Sequence, residues 1–514
     1  MISIRCTTDA LDGRIERALA VLTERKAMSR LWDRDPTLFG ADPSEVADRM
    51  GWLDAPGDSA DSWDGVWERC RELVGDAAHV VVMGMGGSSL FPEVLARTFA
   101  PTGGFPRLHI VDSTDPASLR RALDAAAPDS TFHVASSKSG STLETRCHLA
   151  LFWERSKDPS RFAVITDPGS ALGRHARELG FAHVFENNPD IGGRYSALSG
   201  FGMVPAAMSG VDGNALLEAA LDQLDSLEPV GDDHDNEAAR LAAVIAAGVE
   251  TGRDKLTVLI DPRVATFGLW LEQLVAESLG KGGIGSVPVV GEALDHIVAT
   301  GTDRVIVTIG DVAGRDRLRA SGIPLVELSL EETTDLGAQI VVWEVAVALA
   351  GVVLRVNPFD QPDVEAAKLE ARRLLDADDG DEIQSTSLAD ACDAVEPGDY
   401  VAICAFVDPG GVVAERLERA RHTLGVRLGI ATTLGFGPRF LHSTGQLHKG
   451  GGGNVVVFQV VGAEPGPTDD LAIPGESFTF GQLERAQADG DLAALAGAGK
   501  RAFRIPLAEL MDLG

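Results

Sequence analysis

The sequence is poor in cysteine, which occurs five times in 514 residues. The five lie far apart and no two have the CxxC spacing; they are Cys6, Cys70, Cys147, Cys392 and Cys404. An odd number of scattered cysteines argues against a disulfide-stapled fold and against a zinc ribbon. This pattern is typical of a protein that works in a reducing cytosol.

Basic residues are also in short supply. Lysine and arginine number 45 against 77 aspartates and glutamates, so the formal net charge is −32. A field of this sign repels nucleic acid and anionic membranes, and we expect neither as a partner. An anionic substrate would need local cations and backbone dipoles to offset the charge of the whole molecule.

Targeting and membrane-spanning signals are missing as well. The N-terminus has no apolar h-region, and we count no apolar run of membrane-spanning length. We therefore expect a cytoplasmic protein. The acidic stretch at 231–238 is expected to be exposed. The stretch at 376–382 does not fit a calcium-binding loop, because Gly380 occupies a ligand position and Ser387 stands where the closing glutamate belongs.

The order of predicted elements indicates an α/β fold. From about residue 78, short β-branched runs alternate with helical lengths, and a second such series begins near residue 255. This alternation is typical of parallel, doubly wound sheets, and the chain length calls for more than one domain. We predict two parallel-sheet domains with additional helical segments, with limits at 1–75 (helical), 76–212 (first domain), 213–250 (helical linker) and 251–514 (second domain).

Residues 131–145, TFHVASSKSGSTLET, carry the strongest chemical signal. A predicted strand runs through a Ser/Thr/Gly loop into a predicted helix, which places backbone N–H groups and hydroxyls where a phosphate binds. Lys138 adds a positive charge within this loop. The alternative is an ordinary capped turn, since serine and threonine are common helix caps.

A second polar turn, VVMGMGGSSLF at residues 81–91, lies two strands earlier. Ser89 replaces the third glycine of a dinucleotide fingerprint, and no Lys-Ser/Thr pair follows, so neither that fold nor a P-loop is supported. Both turns follow parallel strands, and ligands bind at the carboxyl edge of such sheets.

Two later segments offer a cation and a base. Arg194 follows two glycines in NPDIGGRYSALSGFG, where it either binds an anion or lies on the surface of a turn. Gln273 and Glu277 share a helix face in LEQLVAESLGKGG. A carboxylate at the end of a largely apolar helix is a candidate base, and the alternative is a solvent-exposed glutamate.

Two further segments offer a lysine and a histidine. Gln361 and Lys368 are seven apart in NPFDQPDVEAAK, so they share a helix face if the helix starts near Pro362. The alternative is a routine amphipathic helix with a surface lysine. His442 and Gln446 are four apart in FLHSTGQLHKGGGGN, and histidine moves protons near neutral pH. A metal site at His442 and His448 is disfavoured, because their spacing suits no helix face and no third ligand is near.

In combination, these segments resemble the glucose-6-phosphate isomerase family. GMGGSSL, SSKSGSTLET, GGRYSALSGFG, EQLVAESLGKGG and FDQPDVEAAK follow the order of the family's motifs, and LHSTGQLHKGG is similar to its histidine segment. The resemblance is closest to the bacterial form fused behind a transaldolase, although no barrel-sized segment precedes the first predicted strand here. It implies two sugar-isomerase (SIS-type) domains, a homodimer, a sugar phosphate substrate, and neither cofactor nor metal.

The resemblance also implies a role for each matching residue. The sugar phosphate would lie against the two polar turns, at Gly87, Ser88, Ser137, Lys138, Ser139 and Thr142. Arg194 would stabilise the enediolate, Glu277 would carry the proton with Gln273 beside it, and Gln361 and Lys368 would complete the site. His442 would open the sugar ring. In the family the histidine usually precedes the lysine segment, and His296 has that position here, so it is a rival.

The implied reaction is the reversible conversion of glucose 6-phosphate into fructose 6-phosphate through a cis-enediol. Two alternatives remain at this point. Sugar-isomerase domains also serve as non-catalytic sugar-phosphate regulators, and a related sugar phosphate such as mannose 6-phosphate is an alternative substrate.

Overall fold

The computed structural model describes residues 1–40, 42–100, 103–229, 236–376, 383–466 and 468–514. The acidic stretches at 231–238 and 376–382 lie largely outside these residues. The described part of the N-terminal region includes β1 (Ile4–Thr7), α1 (Asp12–Glu24), α2 (Ala27–Trp32) and α3 (Ala55–Val74).

The first sheet is five-stranded and parallel throughout, in the order β3-β2-β4-β5-β6. Its strands are β2 (His79–Met83), β3 (Arg107–Val111), β4 (Thr131–Ser136), β5 (Phe162–Thr166) and β6 (His183–Glu186). Its helices are α4 (Leu90–Thr98), α5 (Pro116–Ala125), α6 (Leu143–Ser156), α7 (Ala171–Leu179) and α8 (Gly200–Ser209). Every residue of β4 is buried, as expected of a central strand covered on both faces.

The second sheet follows two connecting helices, α9 (Gly213–Leu227) and α10 (Glu237–Glu250). Its order is β1-β10-β9-β7-β8; β1 runs antiparallel to β10, and the other pairs are parallel. The strands are β7 (Lys255–Ile260), β8 (Val287–Val290), β9 (Arg304–Ile309) and β10 (Leu325–Leu328). The helices are α11 (Phe267–Leu279), α12 (Leu294–Thr300), α13 (Arg315–Ala320) and α14 (Leu336–Leu354).

A third parallel sheet, of order β12-β11-β13-β14, occupies the C-terminal region. Two helices precede it, α15 (Glu365–Asp376) and α16 (Leu388–Asp393). The remaining elements are β11 (Tyr400–Phe406), α17 (Val412–Leu428), β12 (Ala431–Phe436), α18 (Gly445–Gly450), β13 (Val455–Val461), α19 (Phe480–Gly497), β14 (Arg501–Arg504) and α20 (Leu507–Met511).

The predicted α/β class with parallel sheets is confirmed. The strands expected after residue 250 fall into two sheets, and β1 adds a strand to a region expected to be helical. The domain limits at 75, 212 and 250 stay predictions.

The prediction that no apolar run is long enough to span a membrane is wrong for helix α14. Together with the turn before it, it gives a 22-residue helical segment with a mean hydropathy of 2.0, enough by length and composition. The apolar window within this segment is buried entirely inside the protein, as in a core helix. The helix therefore belongs to the main hydrophobic core, together with residues of α9, α10 and α11.

Glu344 lies in the middle of α14 and is 3% exposed. Its Oε1 has no hydrogen-bond partner in the described part of the chain. Burial raises the pKa of this carboxyl well above its ordinary value of 4.5. The folded protein therefore keeps a proton here that the unfolded chain releases above about pH 4.5.

This proton makes stability depend on pH. Because the folded state binds the extra proton, the free energy of unfolding falls as pH rises above 4.5, by up to about 1.4 kcal/mol per pH unit. Glu344→Gln is uncharged in both states, so its melting temperature should rise relative to wild type between pH 5 and pH 8 in calorimetry. Glu16→Gln, on the exposed face of α1, is the matched control and should show no such trend. A constant difference between wild type and Glu344→Gln would contradict a protonated Glu344.

Candidate active site

The hydroxyl-rich loop at residues 137–142 lies between β4 and α6, as the sequence predicts. The Ser137 hydroxyl accepts a hydrogen bond from the backbone of Gly140 at 3.2 Å, which stabilises the loop from within. The hydroxyls of Ser139 and Ser141 lie 2.8 Å apart. Thr142 is the N-cap of α6, but its side chain makes no capping hydrogen bond. The first turn of α6 therefore keeps backbone N–H groups for an anionic ligand.

This loop forms one wall of a cavity of about 260 Å³. The cavity is lined by side chains from α6, α15, α19 and the segment around His442. The polar ones include Ser139, Ser141, Thr142, Glu144, Lys368, Arg372, His442, Lys449 and Gln487. Hydroxyls, cations, the carboxylates of Glu144 and Glu365, and one histidine thus face a space of the size of a small polar ligand.

Lys138 points away from this cavity. Its ammonium group donates to Asp167 at 2.5 Å and to the backbone carbonyl of Pro189. It does not line the cavity, so only its backbone is available to a ligand in the loop.

The turn after β12 carries His442 to the same cavity. Arg439 donates two hydrogen bonds to Asp112, each 2.8 Å long, and so ties this turn to the end of β3. His442 then lies with Nε2 at 3.0 Å from Oε1 of Glu144, in the first turn of α6. Burial acts to raise the pKa of Glu144, but the charge and hydrogen bond of His442 outweigh burial and lower it to about 2. A carboxylate therefore faces the imidazole across the range where proteins work.

His296 lies elsewhere. It is buried on α12, with Nε2 at 2.9 Å from the carbonyl of Ile430 and 3.6 Å from Glu292. It does not line the cavity. Of the two histidines considered from the sequence, His442 is the one beside the hydroxyl loop.

Glu277 and Arg194 form an ion pair, and neither residue lines this cavity. Nε of Arg194 lies 3.3 Å from Oε2 of Glu277, and the side chains are 4% and 14% exposed. Gln273, one turn earlier on α11, donates from Nε2 to the same carboxylate oxygen at 3.1 Å and to the backbone carbonyl of His442 at 2.8 Å. One amide group therefore joins the Glu277 carboxylate to the His442 segment.

Arg194 also binds the segment that precedes α15. Its guanidinium donates to the carbonyls of Pro358, Phe359 and Asp360, and to the side chain of Gln361. Lys281 holds the same segment from the end of α11, with hydrogen bonds to carbonyls and an ion pair of 2.7 Å to Asp360. Burial and the charge of Arg194 lower the pKa of Lys281 to about 8.

The contacts that hold the segment before α15 also determine where Lys368 lies. Gln446 of α18 accepts from the backbone of Asp363 at 3.0 Å and donates to its side chain at 2.6 Å, just before α15 begins. Lys368 is exposed on α15, 3.5 Å from Glu365, and lines the cavity. The helix starts at Glu365 rather than near Pro362, which leaves Gln361 in the preceding turn.

The glycine turn at 84–89 lies against the backbone of Gly193 and the side chain of Gln273. A Cβ at Gly87 would lie 1.9 Å from the carbonyl of Gly193, so only glycine permits this contact. A Cβ at Gly86 would lie 2.9 Å from Nε2 of Gln273 and 2.9 Å from the His442 carbonyl. Ser88 is buried in the same turn. Gly86 and Gly87 thus pack closely against residues of the site, but no residue of this turn lines the cavity.

Sequence reasoning missed several residues of the site, among them Glu144, Lys281, Asp112 and Gln487. Glu144 lies in the SSKSGSTLET motif and Lys281 is the lysine of ESLGKGG. Both therefore lie in motifs that the sequence analysis had already singled out. Asp112 follows a strand that carried no motif. No group of three or more His, Cys, Asp or Glu residues in the described ranges is arranged to hold a metal ion.

Comparison with known proteins points to one family. The phosphoglucose isomerase family matches residues 17–299, more than half of the chain. A glucose-6-phosphate isomerase of Rubrobacter xylanophilus is 30% identical over 357 residues, covering 57% of this chain and 81% of that protein. One from Synechococcus sp. (strain JA-3-3Ab) is 33% identical over 346 residues, covering 57% of this chain and 65% of that protein.

Solved structures share the fold. A hypothetical protein from Thermus thermophilus superposes with a TM-score of 0.62 at 26% identity, over 73% of this chain and all of that one. A glucose-6-phosphate isomerase from Chlamydia trachomatis shares the fold, with a TM-score of 0.60 at 19% identity over 70% of this chain and 86% of its own. The family match includes Arg194 and Glu277 and ends before Lys368 and His442. On the extent of these matches, the chain belongs to the phosphoglucose isomerase family.

Proposed function

We propose that this protein interconverts glucose 6-phosphate and fructose 6-phosphate, by ring opening at His442 followed by proton transfer at Glu277. The observation that carries the proposal is the placement of the His442–Glu144 pair and Lys368 in one cavity with the hydroxyl loop of α6. Gln273 joins the Glu277–Arg194 pair to the His442 segment, which lines that cavity.

The phosphate group occupies the loop at 137–142. Its charge is stabilised by the backbone N–H groups at the start of α6 and by the hydroxyls of Ser139, Ser141 and Thr142. Lys368 and Arg372 of α15, which line the same cavity, add positive charge. These contacts offset the repulsion from the strongly acidic protein.

His442 opens the ring. With Nε2 donating to Glu144, the lone pair on Nδ1 is the basic site of the neutral imidazole. It takes a proton from the sugar hydroxyl and returns it to the ring oxygen, and Glu144 stabilises the imidazolium in between. Lys368 assists from the other wall.

Glu277 then carries the proton between C2 and C1. Its carboxylate is oriented by Gln273 and Arg194, and the Arg194 cation stabilises the charge that develops on the enediolate oxygen. Hydrogen moves as a proton within one substrate, so the reaction needs no redox partner. A regulator that only bound sugar phosphate would not need a proton-accepting carboxylate such as Glu277. We further propose a homodimer in the cytoplasm, as the family resemblance implies.

The first test removes the base. Glu277→Gln keeps the size and hydrogen bonding of the side chain but cannot accept a proton, so turnover of fructose 6-phosphate should fall by at least ~100-fold. The measurement is a coupled assay for glucose 6-phosphate, with circular dichroism to check the fold. Glu250→Gln, at the exposed end of α10, is the control and should keep full activity. Near-normal turnover in Glu277→Gln would remove this residue from the mechanism.

The second test concerns phosphate binding. Replacing Ser139 and Thr142 together by alanine removes two hydroxyls, each worth on the order of 1.5–3 kcal/mol to a charged ligand. The KM for fructose 6-phosphate should rise at least ~10-fold, and inorganic phosphate should lose potency as a competitive inhibitor. Ser130→Ala, outside the cavity, should change neither constant. Unchanged inhibition in the double variant would place the phosphate elsewhere.

The third test distinguishes the two histidines. 5-Deoxyfructose 6-phosphate has no hydroxyl able to close a five- or six-membered ring, so it needs no ring opening. His442→Ala should slow turnover of fructose 6-phosphate by ~100-fold or more, and slow deuterium exchange into the open-chain analogue much less. His296→Ala should affect both substrates alike. The reverse ranking would assign ring opening to His296 while leaving the isomerase proposal intact.

A further inference from the structure

Gln487, a buried side chain of α19, reaches the carboxylate that pairs with His442. Its Nε2 donates to Oε1 of Glu144 at 2.7 Å, the same oxygen that lies 3.0 Å from His442. Its own Oε1 accepts from the hydroxyl of Thr114 at 2.9 Å. The four side chains form a continuous hydrogen-bonded row from the end of β3 to the cavity.

Chemistry fixes the direction of each bond in this row. The ionised Glu144 only accepts hydrogen bonds, so Gln487 must present its NH₂ group to it. The amide oxygen then faces Thr114, whose hydroxyl donates. Thr114 is fully buried and Gln487 is 6% exposed, so the bond between them is shielded from bulk water.

The row also crosses between two sheets. Glu144 and Thr114 follow strands of the first sheet, whereas Gln487 and His442 belong to the third-sheet region. The position of the carboxylate relative to the imidazole therefore depends on how the two regions meet, and Gln487 contacts the carboxylate at that boundary.

We propose that Gln487 is a positioning residue for ring opening, which holds Glu144 so that its Oε1 faces Nε2 of His442. The inference rests on the proposed isomerase function and adds to it a residue from a part of the chain that the family match does not reach. Without the amide, Glu144 loses one of two donors to Oε1 in a buried site, and its side chain is no longer held at one rotamer.

The test compares two substrates in Gln487→Leu, which keeps the volume and removes both hydrogen bonds. Turnover of fructose 6-phosphate should fall about 10-fold with little change in KM, a smaller loss than for removal of His442. Deuterium exchange into 5-deoxyfructose 6-phosphate should change less than twofold, because that substrate bypasses ring opening. Thr114→Val removes only the outer bond and should shift the ratio of the two rates in the same direction, by less.

The control separates positioning from docking of the two regions. Arg121 of α5 pairs with Asp408, which follows β11, and so links the same regions away from the cavity. Arg121→Ala should leave the ratio of the two rates unchanged, whatever it does to the melting temperature. Should Gln487→Leu fail to fold, Thr114→Val decides the question.

An unchanged ratio in folded Gln487→Leu, or in Thr114→Val, would overturn the inference while the wild type still isomerises both substrates. A wild type that converts neither substrate would instead overturn the proposed function.

Discussion

The site depends on the buried guanidinium of Arg194. A buried cation is tolerated only when nearly all its donors are satisfied, and here the partners are backbone carbonyls of 358–360, the carbonyl and carboxylate of Glu277, and Gln361. These partners come from α11 and from the segment before α15. The need to satisfy one charge therefore fixes where the candidate base lies and where the helix that carries Lys368 begins.

Lys281 is a second buried cation that binds carbonyls of the segment before α15. It binds Asp360 and the carbonyls of Asn357 and Asp360, so two cations hold one short irregular segment. Such a segment has no ladder or helix to satisfy its carbonyls, and buried cations are a way to do so. Arg194, a candidate catalytic residue in the sequence, thus also stabilises the folded chain, as Lys281 does.

Much of the site could be predicted from sequence, because its motifs follow strands. A strand that ends in SSKSGST must place its hydroxyls at the carboxyl edge of the sheet, and the loop lies there. Lys138 could not be predicted in the same way, since the direction of a long side chain is decided by its neighbours, here Asp167 and Pro189. The third sheet was missed because the sequence pattern of a buried parallel strand does not show which sheet the strand joins. His442 reaches the cavity through the Arg439–Asp112 pair, a contact between residues 327 positions apart that no local pattern reveals.

Strand β1 has a consequence for how the chain is made. It pairs with β10 and completes one edge of the second sheet, and the bond between Ser3 and Ser329 spans 326 positions. At translation rates of roughly 5–20 residues per second, the first strand waits roughly 15–65 s on the ribosome before its partner exists. During that interval a short unpaired strand is available to the wrong neighbour. Its brevity, four residues with alternate side chains exposed, limits that risk and makes the N-terminus one of the last parts of the second sheet to be secured.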